Sequence, residues 1–292
     1  LLNLLIGFIQ SLFFLNKIKP TTCIAFGSYA TFMPLIALFF YKFFNNINLY
    51  LHEQNSVAGK VNLFFLPLTS LFFTNFKEVI NLPEKYKKKK IYVGLPSDKR
   101  VYKDITKIEN TSKKLIFVYG GSQGSKNLIN NFLLLIKTIN INELKKLKFI
   151  IQCPKKLEVS IEKYLLYLKV DYQIETFFYD IDNILSKTHI AITRAGAGTI
   201  NDLVRYKVPS IIFPLPNSIY DHQYYNAKFL LDKKACIVLN EITFKLDDYS
   251  KDFNKLITDK KYFENMKESI CKIIPPDTNE LILKTILHKD NE

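Results

Sequence analysis

Ala191-Ile192-Thr193-Arg194-Ala195-Gly196-Ala197-Gly198-Thr199-Ile200-Asn201-Asp202 reads as a short apolar strand, a turn of small residues and a helix carrying a carboxylate within its first two turns. Small residues let backbone N–H groups approach phosphate oxygens, and a helix N-terminus favours negative charge. The acid is then placed to accept hydrogen bonds from a ribose diol. A carboxylate near a helix start also serves the helix dipole alone, so both readings of Asp202 stand at this point. A strand feeding a turn and a helix is the unit of a parallel α/β sheet.

The same alternation extends outward in both directions. Apolar runs of strand length fall at Thr22–Phe26, Asn48–His52, Ser70–Thr74 and Lys90–Val93, and again at Lys114–Tyr119, Lys148–Gln152, Tyr172–Phe177, His189–Thr193, Ser210–Phe213 and Ala235–Leu239. Helical periodicity covers Leu128–Thr138, Leu157–Leu168, Gly198–Arg205 and Gln223–Leu231. From Leu95 to Lys113 the chain turns polar and aperiodic, which predicts a linker. The expected division is a partial N-terminal domain with its linker over 1–112, a second domain over 113–274, and a helix over 275–292 that follows Pro275-Pro276 and returns to the first domain. A doubly wound sheet opens on a strand, whereas this sequence opens inside a helix. The expectation is therefore of about 60 further residues upstream, two βα units' worth.

At 292 residues, 48% hydrophobic and 23% charged, the chain is long enough for two cores. A formal charge of +14 implies an anionic partner. Runs such as Lys87-Lys88-Lys89-Lys90 also read simply as solvated surface. No helix-turn-helix, zinc-finger or aromatic sheet motif appears, so nucleic acid is not the expected partner. Cys23, Cys153, Cys236 and Cys271 lack metal or disulfide spacing and read as small buried thiols, and no metal is expected. The apolar stretches Leu1–Leu15 and Met33–Phe44 are too short to span a bilayer and read as core helices, with a membrane-surface role as the alternative.

Gly120-Gly121-Ser122-Gln123-Gly124-Ser125-Lys126 follows a strand and matches neither the Rossmann nor the Walker pattern. It reads as an anion cradle at a helix start or as a tight βα turn. His52-Glu53-Gln54-Asn55 at a strand end reads as a substrate-facing loop, although capping by Asn55 or Ser56 would account for two of its polar groups. Gly27-Ser28-Tyr29 is a further strand-to-helix turn, and Asp221-His222-Gln223-Tyr224-Tyr225-Asn226-Ala227 opens a helix with polar groups after Pro214-Leu215-Pro216-Asn217. Loops after the carboxyl ends of parallel strands line the ligand crevice of such sheets.

Together, the glycine-rich turn, His52–Asn55, Arg194–Thr199 and Asp221–Ala227, in order and approximate spacing from Pro20 to Asn240, resemble the MurG family of UDP-N-acetylglucosamine transferases. The resemblance implies a GT-B glycosyltransferase fold, two Rossmann-like domains facing a cleft, here with the N-terminal one incomplete. It implies GlcNAc transfer from UDP-GlcNAc to undecaprenyl-linked lipid I, inverting and metal-independent, with no cofactor, at the cytoplasmic face of the inner membrane and in contact with its anionic surface. Carried over, Ser122 meets the diphosphate, the Phe178 backbone the uracil, and Ala197, Gly198 and Thr199 the phosphates and sugar. Ile200 and Asn201 belong to the same donor segment, Asp202 stands where a family glutamate binds the ribose, Gln223 contacts the GlcNAc hydroxyls and Asn55 faces the transferred sugar. His52, Gln54, Tyr29 and His222 are secondary candidates. Two departures stand out. The family's N-terminal glycine-rich loop with its histidine is absent, so no general base is assigned. In Val93–Asp98 the family has asparagine at the Leu95 position and a phosphate-binding arginine at the Asp98 position, so either Lys99 or Arg100 supplies the cation or that contact is lost. Another GT-B transferase, or a non-catalytic nucleotide-sugar-binding half needing a partner, are the competing readings.

Overall fold

The computed structural model describes residues 2–97, 113–121, 125–243 and 245–290. The linker expectation at 98–112, with Asp98, Lys99 and Arg100, and the cradle residues Ser122, Gln123 and Gly124 lie outside the described residues. The chain divides into two compact units, Leu1–Ser97 with Pro276–Glu292, and Asp98–Pro275.

In the first unit, α1 (Leu2–Ile18), β1 (Thr22–Ala25), α2 (Phe32–Lys42), β2 (Asn48–Glu53), α3 (Lys60–Phe65), β3 (Leu71–Thr74) and β4 (Lys90–Tyr92) follow one another. The strands pair in parallel in sequence order. The two-residue period of β2 explains its burial on both faces. Leu49 and Leu51 join Leu35, Leu38, Phe65 and Phe72 in one core, while Tyr50 stacks on Phe73 in another.

The second unit holds β5 (Lys114–Tyr119), α4 (Lys126–Ile136), α5 (Ile141–Leu144), β6 (Leu147–Gln152), α6 (Lys155–Leu168), β7 (Asp171–Glu175), α7 (Ile181–Lys187), β8 (Ile190–Thr193), α8 (Ala197–Tyr206), β9 (Ser210–Ile212), α9 (His222–Leu231), β10 (Cys236–Val238), α10 (Leu246–Thr258) and α11 (Lys260–Cys271). Its sheet runs β10-β9-β8-β5-β6-β7, all parallel. The chain winds from β5 outward to β7, then restarts beside β5 at β8 and winds the other way. The carboxyl ends of β5 and β8 therefore flank the topological switch point, where open α/β sheets bind ligands. Strands buried on both faces read as continuous apolar runs, which is why β5, β6, β8 and β9 were visible in the sequence, whereas the edge strand β7 alternates exposed and half-buried residues.

The last helix, α12 (Thr278–Asp290), belongs to the first unit and covers Tyr50 and Phe73 with Ile282. Its start closes on Gly94 (φ +85°), where a Cβ would lie 2.6 Å from Thr278 Oγ1 and 2.8 Å from Pro276 Cγ. Only glycine suits that backbone and that approach.

Two expectations are corrected. No residue of α1 is buried, so it is not a core helix. It lies on α2, with Phe8 edge-on to Phe40, and gives only Leu12 and Leu15 to the core. Cys271 is exposed because it ends α11 on the solvent side, while Cys153 and Cys236 are buried and Cys23 is half-buried.

Candidate functional site

At the end of β8 the chain enters α8 through Gly196, whose extended backbone (φ −61°, ψ 148°) forms an N-cap without any side-chain hydrogen bond. The first N–H groups of a helix have no internal partner and carry the positive end of its dipole. Here they are those of Ala197, Gly198 and Thr199, because the Ile200 amide already donates to the Gly196 carbonyl. Among the described residues outside its own helix, a Cβ built on Gly198 meets nothing within 4 Å, so on that side the turn is open. Ala197 and Ile200 are buried and anchor the turn, whereas Gly198 is exposed and Thr199, Asn201 and Asp202 are half-buried. Burial pushes the Asp202 carboxyl up to about 6, with Arg205 opposing the shift and Asp182 adding to it.

The second helix start is that of α4. Ser125 is its N-cap, and its Oγ accepts from the Leu128 amide at 3.3 Å. Behind it, the Tyr119 ring stacks on Phe117 at 4.4 Å, and Phe178 packs edge-on to Phe117 at 5.7 Å. The Phe178 ring is thus interior, between the exposed side chains of Phe177 and Tyr179. Thr193 Oγ1 donates to the Tyr119 carbonyl at 2.8 Å, tying the ends of β5 and β8 together.

The segment before α9 supplies the third wall. Asn217, Tyr220 and Asp221 all hold left-handed φ of 53–56°. Three such non-glycine residues cost of order 1–3 kcal/mol each and persist where surrounding contacts over-determine them. Gln223 Oε1 accepts from the amides of Ala195 at 3.2 Å and Leu215 at 2.9 Å, and Asn226 Nδ2 donates to the Ala195 carbonyl at 3.1 Å. Gln223 consequently presents its amide hydrogens, not its oxygen, to a ligand. His222 is held by its ring Nδ1 against the Ile219 carbonyl at 3.0 Å.

In the first unit, β2 extends through Glu53, so His52 and Glu53 are buried strand residues and not part of an exposed loop. His52 Nε2 meets the Gly94 carbonyl at 2.8 Å, and burial lowers its pKa to about 4, which keeps it neutral. Glu53 turns back on its own loop, accepting from the Asn55 amide at 3.0 Å, the Gly59 amide at 2.8 Å and Asn62 Nδ2 at 2.8 Å. Neither Asn55 nor Ser56 caps α3, because the cap is Gly59. Gln54 and Asn55 are half-buried, and Tyr29 stands 80% exposed at the start of a single 3₁₀ turn.

The structure therefore gathers Ala197–Asp202, Phe178, Gln223 and His222 around one end of the second sheet and leaves His52, Gln54, Asn55 and Tyr29 in the first unit. Sequence reasoning missed the partners of Arg194, which are Ser125 and Glu241, 47 positions away from the arginine in the latter case. No local pattern signals such a pair.

Residues 115–277 match the glycosyltransferase family 28 C-terminal domain and residues 1–73 the glycosyltransferase family 28 N-terminal domain. With two parallel α/β units and the α8 start, without a side-chain cap, at the switch point, the chain is a glycosyltransferase of the GT-B class. It is 34% identical over 277 residues to the UDP-N-acetylglucosamine--N-acetylmuramyl-(pentapeptide) pyrophosphoryl-undecaprenol N-acetylglucosamine transferase of Rickettsia canadensis (strain McKiel), covering 92% of this chain and 76% of that relative. This chain belongs to the MurG family of N-acetylglucosaminyltransferases. Its fold is shared with the crystal structure of Acinetobacter baumannii MurG (TM-score 0.72, 21% identity, 96% of this chain and 79% of that one). It is shared too with UDP-GlcNAc 2-epimerase from Neisseria meningitidis bound to UDP-GlcNAc (TM-score 0.63, 15% identity, 97% and 80%).

Proposed function

We propose that the chain transfers GlcNAc from UDP-GlcNAc to the MurNAc C4 hydroxyl of lipid I, forming lipid II by a single inverting displacement without metal or cofactor. The observation that supports this most is the uncapped start of α8, open in front of Gly198, with Asp202 on the following turn. Departure of UDP builds negative charge on the diphosphate, and fixed helix-terminal N–H groups stabilise it without reorganising. In this reading Ala197–Thr199 and Ser122 hold the phosphates, and Arg100 adds the cation that Asp98 cannot. The Phe178 main chain meets the uracil, and Ile200 and Asn201 complete the turn. Asp202 accepts from the ribose, and Gln223 donates to the GlcNAc hydroxyl oxygens. Asn55 faces the transferred sugar, with Gln54, His52 and Tyr29 beside it in the first unit and His222 next to Gln223 at the start of α9. The general base is not among these residues.

Labelled GlcNAc supplied as UDP-GlcNAc is expected to appear on lipid I with inverted anomeric configuration, at a rate unchanged by EDTA. Binding of UDP-GlcNAc without any transfer would instead support a nucleotide-sugar-binding half that needs a partner chain.

A lipid-linked acceptor fits the apolar surface of the first unit. No described helix is long and apolar enough to cross a membrane. Leu2, Leu5, Ile9 and Phe13 lie exposed along α1, with Phe13 at 63% and Phe44, just past α2, at 89%. Beneath α1 a cavity of about 460 Å³ is lined by Phe14, Ile18, Cys23, Ile24 and Leu35. Apolar burial together with basic charge is the route to reversible binding at anionic lipid on the inner-membrane surface. Phe13→Glu with Phe44→Glu is expected to cut co-flotation with anionic vesicles at least about tenfold, and undiminished flotation would exclude this face.

A further inference from the structure

Arg194 sits in the middle of the site with its charge already spent. Its side chain and that of Glu241 are each 7% exposed, and the two form a bidentate pair, Nη1 to Oε2 at 2.7 Å and Nη2 to Oε1 at 3.1 Å. Nη1 also donates to the Phe213 carbonyl at 3.2 Å, at the end of β9. Nη2 donates to Ser125 Oγ at 2.7 Å. A neutralised, enclosed guanidinium is poorly suited to binding phosphate itself. What it does is fasten two strand ends and a helix start to one another: its own after β8, the end of β9, and the start of α4. Ser125 Oγ accepts both this bond and that of the Leu128 amide, which fills its lone pairs and leaves its hydrogen to donate outward.

We propose that Arg194 is a positioning residue whose latch to Glu241 and Ser125 sets the spacing between the α4 and α8 helix starts, so that one diphosphate engages both. This rests on the donor-site reading above. Fork geometry is essential to it, because only a planar guanidinium grips a carboxylate with two parallel bonds while reaching a hydroxyl. Lysine keeps the charge and loses the fork. Ser125→Ala leaves the buried ion pair in place and severs only the connection to α4, so it tests the latch even if an altered Arg194 compromises folding. Ser125→Thr restores the hydroxyl.

The test is calorimetric titration of the 292-residue chain with UDP and with UMP. A latch that sets the distance between two phosphate subsites matters for the ligand that bridges them. Arg194→Lys and Ser125→Ala are each expected to weaken UDP by about tenfold, the size of one charge-assisted hydrogen bond, while UMP changes by less than about twofold, within the scatter of independent sites. The double variant is expected to be no weaker than the worse single one, since both break one connection, and Ser125→Thr is expected to bind as the native chain does. Equal losses of UDP and UMP, unchanged UDP affinity in both variants, or additive losses would overturn the latch. If the native chain binds no UDP, the donor-site reading falls and the latch falls with it; if the native chain binds and the variants match it, the latch falls alone.

Discussion

Gly198→Leu is expected to fold like the native chain and to lose UDP-GlcNAc affinity by at least about 100-fold. Gly198 is the second residue of α8 and lies in helical conformation, where leucine is favoured over glycine by up to about 1 kcal/mol. Outside its own stretch of helix, no described residue lies within 4 Å of the added Cβ, so the first carbon of the new side chain meets no packing conflict among the described residues. The same open space is where a phosphate must come within hydrogen-bond distance of the Gly198 and Thr199 amides, and a four-carbon side chain fills it. Gly198→Ala is expected to fall between the two. The measurement is paired calorimetry and thermal unfolding. A leucine variant that binds UDP-GlcNAc normally would remove the α8 start from the donor site, and one that is strongly destabilised would contradict the open surface.

The affinity for UDP-GlcNAc is expected to fall as the pH drops through about 6, approaching tenfold per unit below it. Asp202 titrates there because burial disfavours its charged form. To accept two ribose hydroxyls it must be ionised, so in acid the ligand has to expel a proton before it binds. UDP-GlcNAc is the probe of choice because its diphosphate diester has no proton to gain in this range, unlike free UDP. The folding contribution of the free protein has the opposite sign. With a folded-state pKa above the ordinary aspartate value of 3.8, the native chain binds more protons than the unfolded one between about 4 and 6, so this group adds stability as the pH falls through that window. Asp202→Asn is expected to flatten the pH profile and weaken binding at pH 8 by about 10- to 100-fold, one to two charge-assisted hydrogen bonds. An Asn variant that keeps the acid limb would assign the titration to another group.

The sequence made the sheets legible and the site partly so, for a common reason. Strands such as Ile190–Thr193 are buried on both faces, so their apolar runs advertise themselves. Helices α10 and α11 did not, because Phe253, Leu256 and Ile257, then Phe263, Met266 and Ile270, are thin apolar stripes among lysines and acids. The α8 turn was readable because glycines and a helix start act locally. The occupied oxygen of Gln223, the left-handed run from Asn217 to Asp221 and the Arg194–Glu241 pair are set by groups distant in sequence, and no window of residues contains them. His52 and Glu53 misled for the same reason, because four consecutive polar residues look exposed until the strand that buries two of them is seen.

Glu53 gives the first unit a property of its own. By folding its carboxylate onto the amides of Asn55 and Gly59 and onto Asn62, it supplies that loop with an internal acceptor. Donors that would otherwise attract a phosphate are satisfied from within, while those at the head of α8 have no side-chain cap among the described residues. Under the donor site proposed above, anion affinity is thereby apportioned to the second unit before any ligand arrives. On the same proposal, the first unit can vary its taste for hydroxyls and hydrocarbon without competing for the charge.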